Sequence, residues 1–181
     1  MTVTGQSPMM PSASRNGLFL GLALVLLQTI FYLADIQYNS KMGYLSYVIL
    51  IAGLFLSTRN YRDVNNGGFL SYGRSVGYGV LVSLMAGIIS AVFVFVLYTY
   101  FDPTMIDKIL IETENQLVED GMEDSQIEQT MDITAKMITP FTITLFSIIG
   151  MVFMGLVFSL VVSVFLRKEN SHDGSFENDT L

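Results

Sequence analysis

The chain contains no cysteine among its 181 residues, which excludes disulfides, thiolate nucleophiles and cysteine-ligated metals. Charge is scarce as well: Asp, Glu, Lys and Arg make up 14% of the residues, where a soluble domain of this size carries about a quarter. The lone histidine, His172, lies in SHDGSFENDTL (171–181), within a tail (169–181) that reads as disordered and cytoplasmic. With no histidine pair, no G-x-S-x-G elbow and no phosphate-cradling loop, the sequence offers little to an enzyme and reads as non-enzymatic, without cofactor or metal. Bases are the rarer charge, nine against sixteen acids for a net −7, and the pI of about 4.5 argues against a nucleic-acid partner.

What is present is apolar and comes in blocks. Hydrophobic residues make up 51% of the chain and the mean hydropathy is +0.53. A helix rises 1.5 Å per residue, so about 20 residues cross a hydrocarbon core of roughly 30 Å. Four blocks approach that length: 17–33, 42–57, 76–98 and 141–166, the second short and extended by Tyr38 to Lys41, the fourth long enough to tilt or project. The first is too long, and the following ADIQYNS too poor a cleavage site, for a signal peptide; it reads as an uncleaved span. The fold class expected is therefore an all-α membrane protein, with a disordered cytoplasmic N-terminus (1–16), a membrane domain (17–168) and an extramembrane loop (101–138) between spans 3 and 4.

The bases set the orientation. Arg15, Arg59, Arg62, Arg74, Arg167 and Lys168 fall on one side of a four-span chain, and Lys41, Lys108 and Lys136 on the other, six against three. Because Lys and Arg accumulate in cytoplasmic connections, both termini are expected inside. Arg59, Arg62 and Arg74 then act as inner-face anchors, with lipid phosphates or an anionic ligand as the sharper alternative. Phe31, Tyr32, Tyr44, Tyr98, Tyr100, Phe101 and Phe141 suit an outer aromatic belt. Asn66-Gly67-Gly68 supplies residues tolerant of positive φ for a sharp turn before Phe69 and Leu70, and Ser71 is the expected N-cap of span 3.

The loop carries ten acids from Asp102 to Asp132 (Asp102, Asp107, Glu112, Glu114, Glu119, Asp120, Glu123, Asp124, Glu128 and Asp132) against two bases, Lys108 and Lys136. It reads as an amphipathic helical hairpin. Asp102 caps a first helix with Pro103 at its first position and Gly121 ending it, while Ser125 and Glu128 form a capping-box spacing for a second. Thr139-Pro140 marks a kink or a fresh start for span 4. Asp120, Asp124, Glu128 and Asp132 recur every four residues, but without the order of a calcium loop. They read as a solvated face, with weak Ca²⁺ or Mg²⁺ binding or a basic partner as alternatives.

No charged residue lies within the spans, and Gln28, Thr142, Thr144 and Ser147 are the most polar groups at depth. This counts against an ion-coupled transporter, although Asp35 sits at the edge of span 1. Small residues recur every four positions: Gly17 and Gly21; Gly79, Ser83, Gly87 and Ala91; Gly155, Ser159 and Ser163. Such stripes let helices pack closely, within one chain or between copies or partners. The eleven methionines read as bilayer and packing residues. Asn178-Asp179-Thr180 matches a glycosylation pattern by chance, on the wrong side.

Tyr61-Arg62-Asp63, Gly67-Gly68, Ser71-Tyr72-Gly73, the IISAVF run from Ile88 to Phe93, Asp102-Pro103, Lys136-Met137, Thr139-Pro140 and the SIIG to GLVFSL stretch carry a resemblance. Over about Gly17 to Lys168 the chain resembles a bacterial family of small four-span inner-membrane proteins catalogued only as a domain of unknown function. The resemblance implies membrane location and a shared helical plan, and brings no activity or site residue. The reading is a non-enzymatic component of a membrane assembly, in contact with lipids and with itself or a membrane partner. The alternative is a small oligomeric transporter or channel.

Overall fold

The computed structural model describes residues 8–34, 36 and 40–168, with side chains placed from Gly43 onward in the second helix. Asp35, His172 and Asn178-Asp179-Thr180 lie outside the described residues, as do 1–7 of the expected N-terminal segment and the tail 169–181. All regular structure among the described residues is helical: α1 Met9–Leu33, α2 Ser40–Asn60, α3 Tyr72–Val96, α4 Met105–Glu119, α5 Asp124–Met137 and α6 Pro140–Leu166. Five-residue π turns, Tyr61–Asn65 and Leu97–Phe101, continue α2 and α3. Three helices are long and apolar enough to cross a membrane, by length and composition: α1, α3 with its π turn (Tyr72–Phe101), and α6. The 21-residue α2 has the length, but its end, Ser57-Thr58-Arg59-Asn60, is polar.

Several boundaries differ from the sequence expectation for local reasons. α1 starts at Met9, eight residues ahead of Gly17, because Pro11 sits in the first turn, where its missing N–H costs nothing. Ser12 and Asn16 then gain partners inside the fold. Ser71 is the N-cap of α3 but makes no side-chain capping bond. Asp102 and Pro103 do not open α4. They form a turn in which the Asp102 carbonyl accepts from Met105 N–H at 3.2 Å, and the helix begins at Met105. α5 starts one residue before Ser125: the extended Glu123 is its N-cap and its carbonyl accepts from Gln126 and Ile127. The turn between them matches expectation. Gly121 adopts φ +75°, and Met122 N–H to Leu117 carbonyl (3.2 Å) with Gly121 N–H to Val118 carbonyl (3.0 Å) closes α4 in a Schellman motif. Thr139-Pro140 is a fresh start, not a kink: Thr139 and Thr142 form a full capping box, with Pro140 at the first helical position.

Contacts fix the directions of the long helices. Ser12 meets Tyr78 at one end of the α1–α3 pair and Tyr32 meets Asp102 at the other, so these two helices run parallel. α6 runs antiparallel to α3, and Ser163 donates to Ser75 across their interface at 2.7 Å. α2 packs against α1, α3 and α6, antiparallel to α1, through Gly53 on Leu20 and a buried row of Leu50, Leu54, Thr58 and Tyr61. The acidic helices α4 and α5 pack on each other, with Met105 and Ile127 buried between them and their surroundings.

Candidate functional site

The arginine-bearing end gathers a network of buried polar side chains, Ser12, Thr58, Ser75 and Ser163 among them. The π turn after α2 adds a residue per turn and so carries Tyr61 into the interior, where both Tyr61 and Tyr78 of α3 are 0% exposed. Their rings stack at 4.1 Å with 8° between planes. Burial of two phenols requires partners for their hydroxyls. Asn16 Nδ2 donates to Tyr78 Oη at 2.7 Å and Ser12 Oγ shares a hydrogen bond with it at 3.0 Å. Arg74 Nη2 donates to Tyr61 Oη at 2.9 Å. Three segments, α1, the π turn that continues α2, and α3, are thereby tied at one point.

The connection from Asn66 to Ser71 then closes onto the end of α6. Gly67 (φ +61°) and Gly68 (φ +87°) make the turn, and Gly68 N–H bonds back to the Arg62 carbonyl at 2.9 Å. Leu70 and Lys168 exchange backbone hydrogen bonds at 2.9 and 3.0 Å, and the Lys168 ammonium stands 5.6 Å from the centre of the Phe69 ring. Arg62 donates to the Leu166 carbonyl at 3.3 Å, a cation at the negative end of α6. Its guanidinium also grips Asp63 through Nε at 2.7 Å and Nη2 at 3.2 Å, and Arg59 approaches the same carboxylate at 3.6 Å. The Arg62 hydrogen bond, aided by both guanidinium charges, holds the Asp63 carboxyl below its ordinary pKa although partial desolvation opposes it. The expected anchors thus have partners: Arg59 and Arg62 on Asp63, Arg74 on Tyr61.

At the opposite end Asp102 joins three elements. It accepts from the Thr104 hydroxyl, from Tyr32 Oη at 3.1 Å, and pairs with Lys108 at 3.5 Å. The Thr104 bond is the main cause lowering its pKa, with Tyr32 and Lys108 adding to it and desolvation opposing. Lys136 pairs with Asp132 one turn away at 2.7 Å. Most remaining acids are exposed. Asp124, Glu128 and Asp132 share a side of α5 while Asp120 sits in the turn, and no group of three potential metal ligands occurs among the described residues.

The small-residue stripes lie at helix contacts. Four pairs along α3 and α6 keep one antiparallel register: Ser75 with Ser163, Gly79 with Ser159, Ser83 with Gly155, and Gly87 with Met151. A methyl at Gly79 would collide with the Ser159 side chain and one at Gly155 with that of Ser83, whereas one at Gly87 would sit 3.1 Å from the flexible Met151 side chain. Ala91 is buried further along α3. Gly17 and Gly21 do the same for α1 on α3: a methyl on Gly21 would lie 3.1 Å from the Ala86 backbone. At depth, Thr144 and Ser147 spend their hydroxyls on the Pro140 and Thr144 carbonyls at 2.6 and 2.8 Å, and Thr142 is consumed by the capping box. Gln28 lies part-buried on α1. Sequence reasoning missed Ser12, Asn16, Ser75 and the Tyr61–Tyr78 stack. Ser75 was reachable, since it extends the Gly79 stripe by one turn.

Apolar helices of spanning length, closed on one another through glycine and serine and carrying bases at one end and acids at the other, define a helical protein of membrane type. The chain belongs to the family described as "Protein of unknown function (DUF4199)", whose model matches residues 15–168. Comparison with curated proteins and with solved structures finds no match.

Proposed function

We propose that this protein is a non-enzymatic component of a bacterial inner-membrane assembly. It spans four times, keeps both termini in the cytoplasm, and presents α4 and α5 as an acidic hairpin outside. The alternating directions of α1, α2, α3 and α6 support the fourth span. The gathering of Arg15, Arg59, Arg62, Arg74, Arg167 and Lys168 at one end supports the orientation.

One observation carries the assembly role. The centre of the helix group is filled, because α1, α3 and α6 meet at glycine and serine with backbone-level contact. A single chain packed in this way leaves its outer faces for other proteins, and a pore would have to form between copies. The small-residue stripes being occupied within the chain, the surface available to a partner is made of the outer faces of α1, α2 and α6, where Phe19, Leu56 and Phe153 are exposed, together with α4 and α5.

The absence of native cysteine gives a clean test. Glu128→Cys, on the exposed side of α5, treated in native membranes with a bifunctional thiol- and amine-reactive reagent, is expected to yield a discrete adduct, with itself or a second protein, at fixed stoichiometry in native mass spectrometry. Monomer alone would refute the assembly role. Specific solute flux through proteoliposomes of the protein alone would replace it with a transporter.

A further inference from the structure

Among the described residues, Asp63 is the acid available to six bases at the arginine-bearing end, and it is taken by Arg59 and Arg62. No described carboxylate lies within ion-pair distance of Arg167 or Lys168. Lys168 is nevertheless held in place, by its two backbone bonds to Leu70 and by the Phe69 ring beneath its ammonium. Ordering a long cationic side chain in advance removes part of the entropy cost of binding an anion. Apolar groups adjoin this charge: Phe165, 75% exposed, and Val164 and Val161 precede it on α6, while Phe69 is partly exposed beside Lys168. Cationic heads next to aromatic and branched apolar side chains match a molecule with a phosphate at one end and hydrocarbon at the other.

We propose that the C-terminal end of α6 and the 66–71 connection form a binding site for an anionic phospholipid. Arg167 and Lys168 take the phosphate, by charge-assisted hydrogen bonds. Phe165 and Phe69 border the upper acyl chain. The proposal needs α6 to lie in a membrane and does not depend on the assembly role.

The test is native mass spectrometry of the full chain titrated with phosphatidylglycerol or phosphatidylcholine. The wild type is expected to bind phosphatidylglycerol at least about fivefold more tightly, since the choline cation of phosphatidylcholine offsets the phosphate charge that Arg167 and Lys168 meet. R167Q/K168Q is expected to lose that preference, and K108Q/K136Q, at the opposite end, to keep it. Equal affinity for the two lipids, or a preference surviving in R167Q/K168Q, would overturn the proposal. Should the double variant fail to fold, R167Q alone decides, because the Arg167 side chain makes no hydrogen bond or ion pair among the described residues. Inorganic phosphate competing as well as phosphatidylglycerol at equal concentration would show a free-anion site and overturn the lipid.

Discussion

Tyr78 shows how much a single hydroxyl does in an apolar fold. Its oxygen is the meeting point of Ser12 and Asn16, and the ring is fully buried. Tyr78→Phe keeps the stack on Tyr61 but strands two polar side chains, which costs about 1–3 kcal/mol. Thermal unfolding of the purified protein should show this loss for Tyr78→Phe. Asp63 offers a pH signature at the same end. Its folded pKa is depressed by Arg62, so its contribution is fully present above the unfolded value, near about 4. That contribution disappears as pH falls through the folded pKa. Because the group is exposed the effect is small. It is isolated by comparing the melting temperatures of wild type and Asp63→Asn: their difference should be constant from pH 7 to about 5 and shrink below about 4. A difference that grows toward acid would contradict the Arg62 pairing.

Among elements, the α3–α6 pair is the most closely fitted. Its register makes an ordered prediction. Gly155→Ala and Gly79→Ala must displace serine side chains and should each destabilise by about 1–3 kcal/mol through overpacking. Gly87→Ala should cost less, as Met151 can yield. Gly150→Ala, with nothing near its added methyl, should be neutral or gain up to about 1 kcal/mol of helix propensity. Equal effects at Gly155 and Gly150 in detergent melts would mean the register is wrong. The helices themselves were legible as apolar runs. So were the stops, since Gly121 and Thr139-Pro140 act through local backbone chemistry. The first two turns of α1 were not legible: Met9 to Asn16 is polar in part and becomes helical where Ser12 and Asn16 reach Tyr78, 66 and 62 residues away. Nor was the Tyr61–Tyr78 stack, because a pairing through a π turn leaves no period in the sequence.

For the whole molecule, the separation of charge is the chief result. Bases gather where α1 and α3 begin and α6 ends; ten acids gather on and around α4 and α5. The proposed orientation predicts that Glu114→Cys in α4 reacts with a membrane-impermeant maleimide on intact cells. Val64→Cys, at a 71% exposed position in the π turn after α2, should react after permeabilisation alone. The reverse pattern would invert the topology, and labelling of both from outside would remove one span.

The partners of the α3–α6 register also stand far apart in time. Gly79, Ser83 and Gly87 leave the ribosome well before Gly155 and Ser159, with α4, α5 and their acids synthesised in between. At about 5–20 residues per second, the glycine-serine groove of α3 waits several seconds for the helix that fills it. During that interval another small-residue helix could occupy it. The closest contact of the finished fold is therefore also its most exposed moment during synthesis, which gives the insertion machinery, or a neighbouring chain, an opportunity to shield α3.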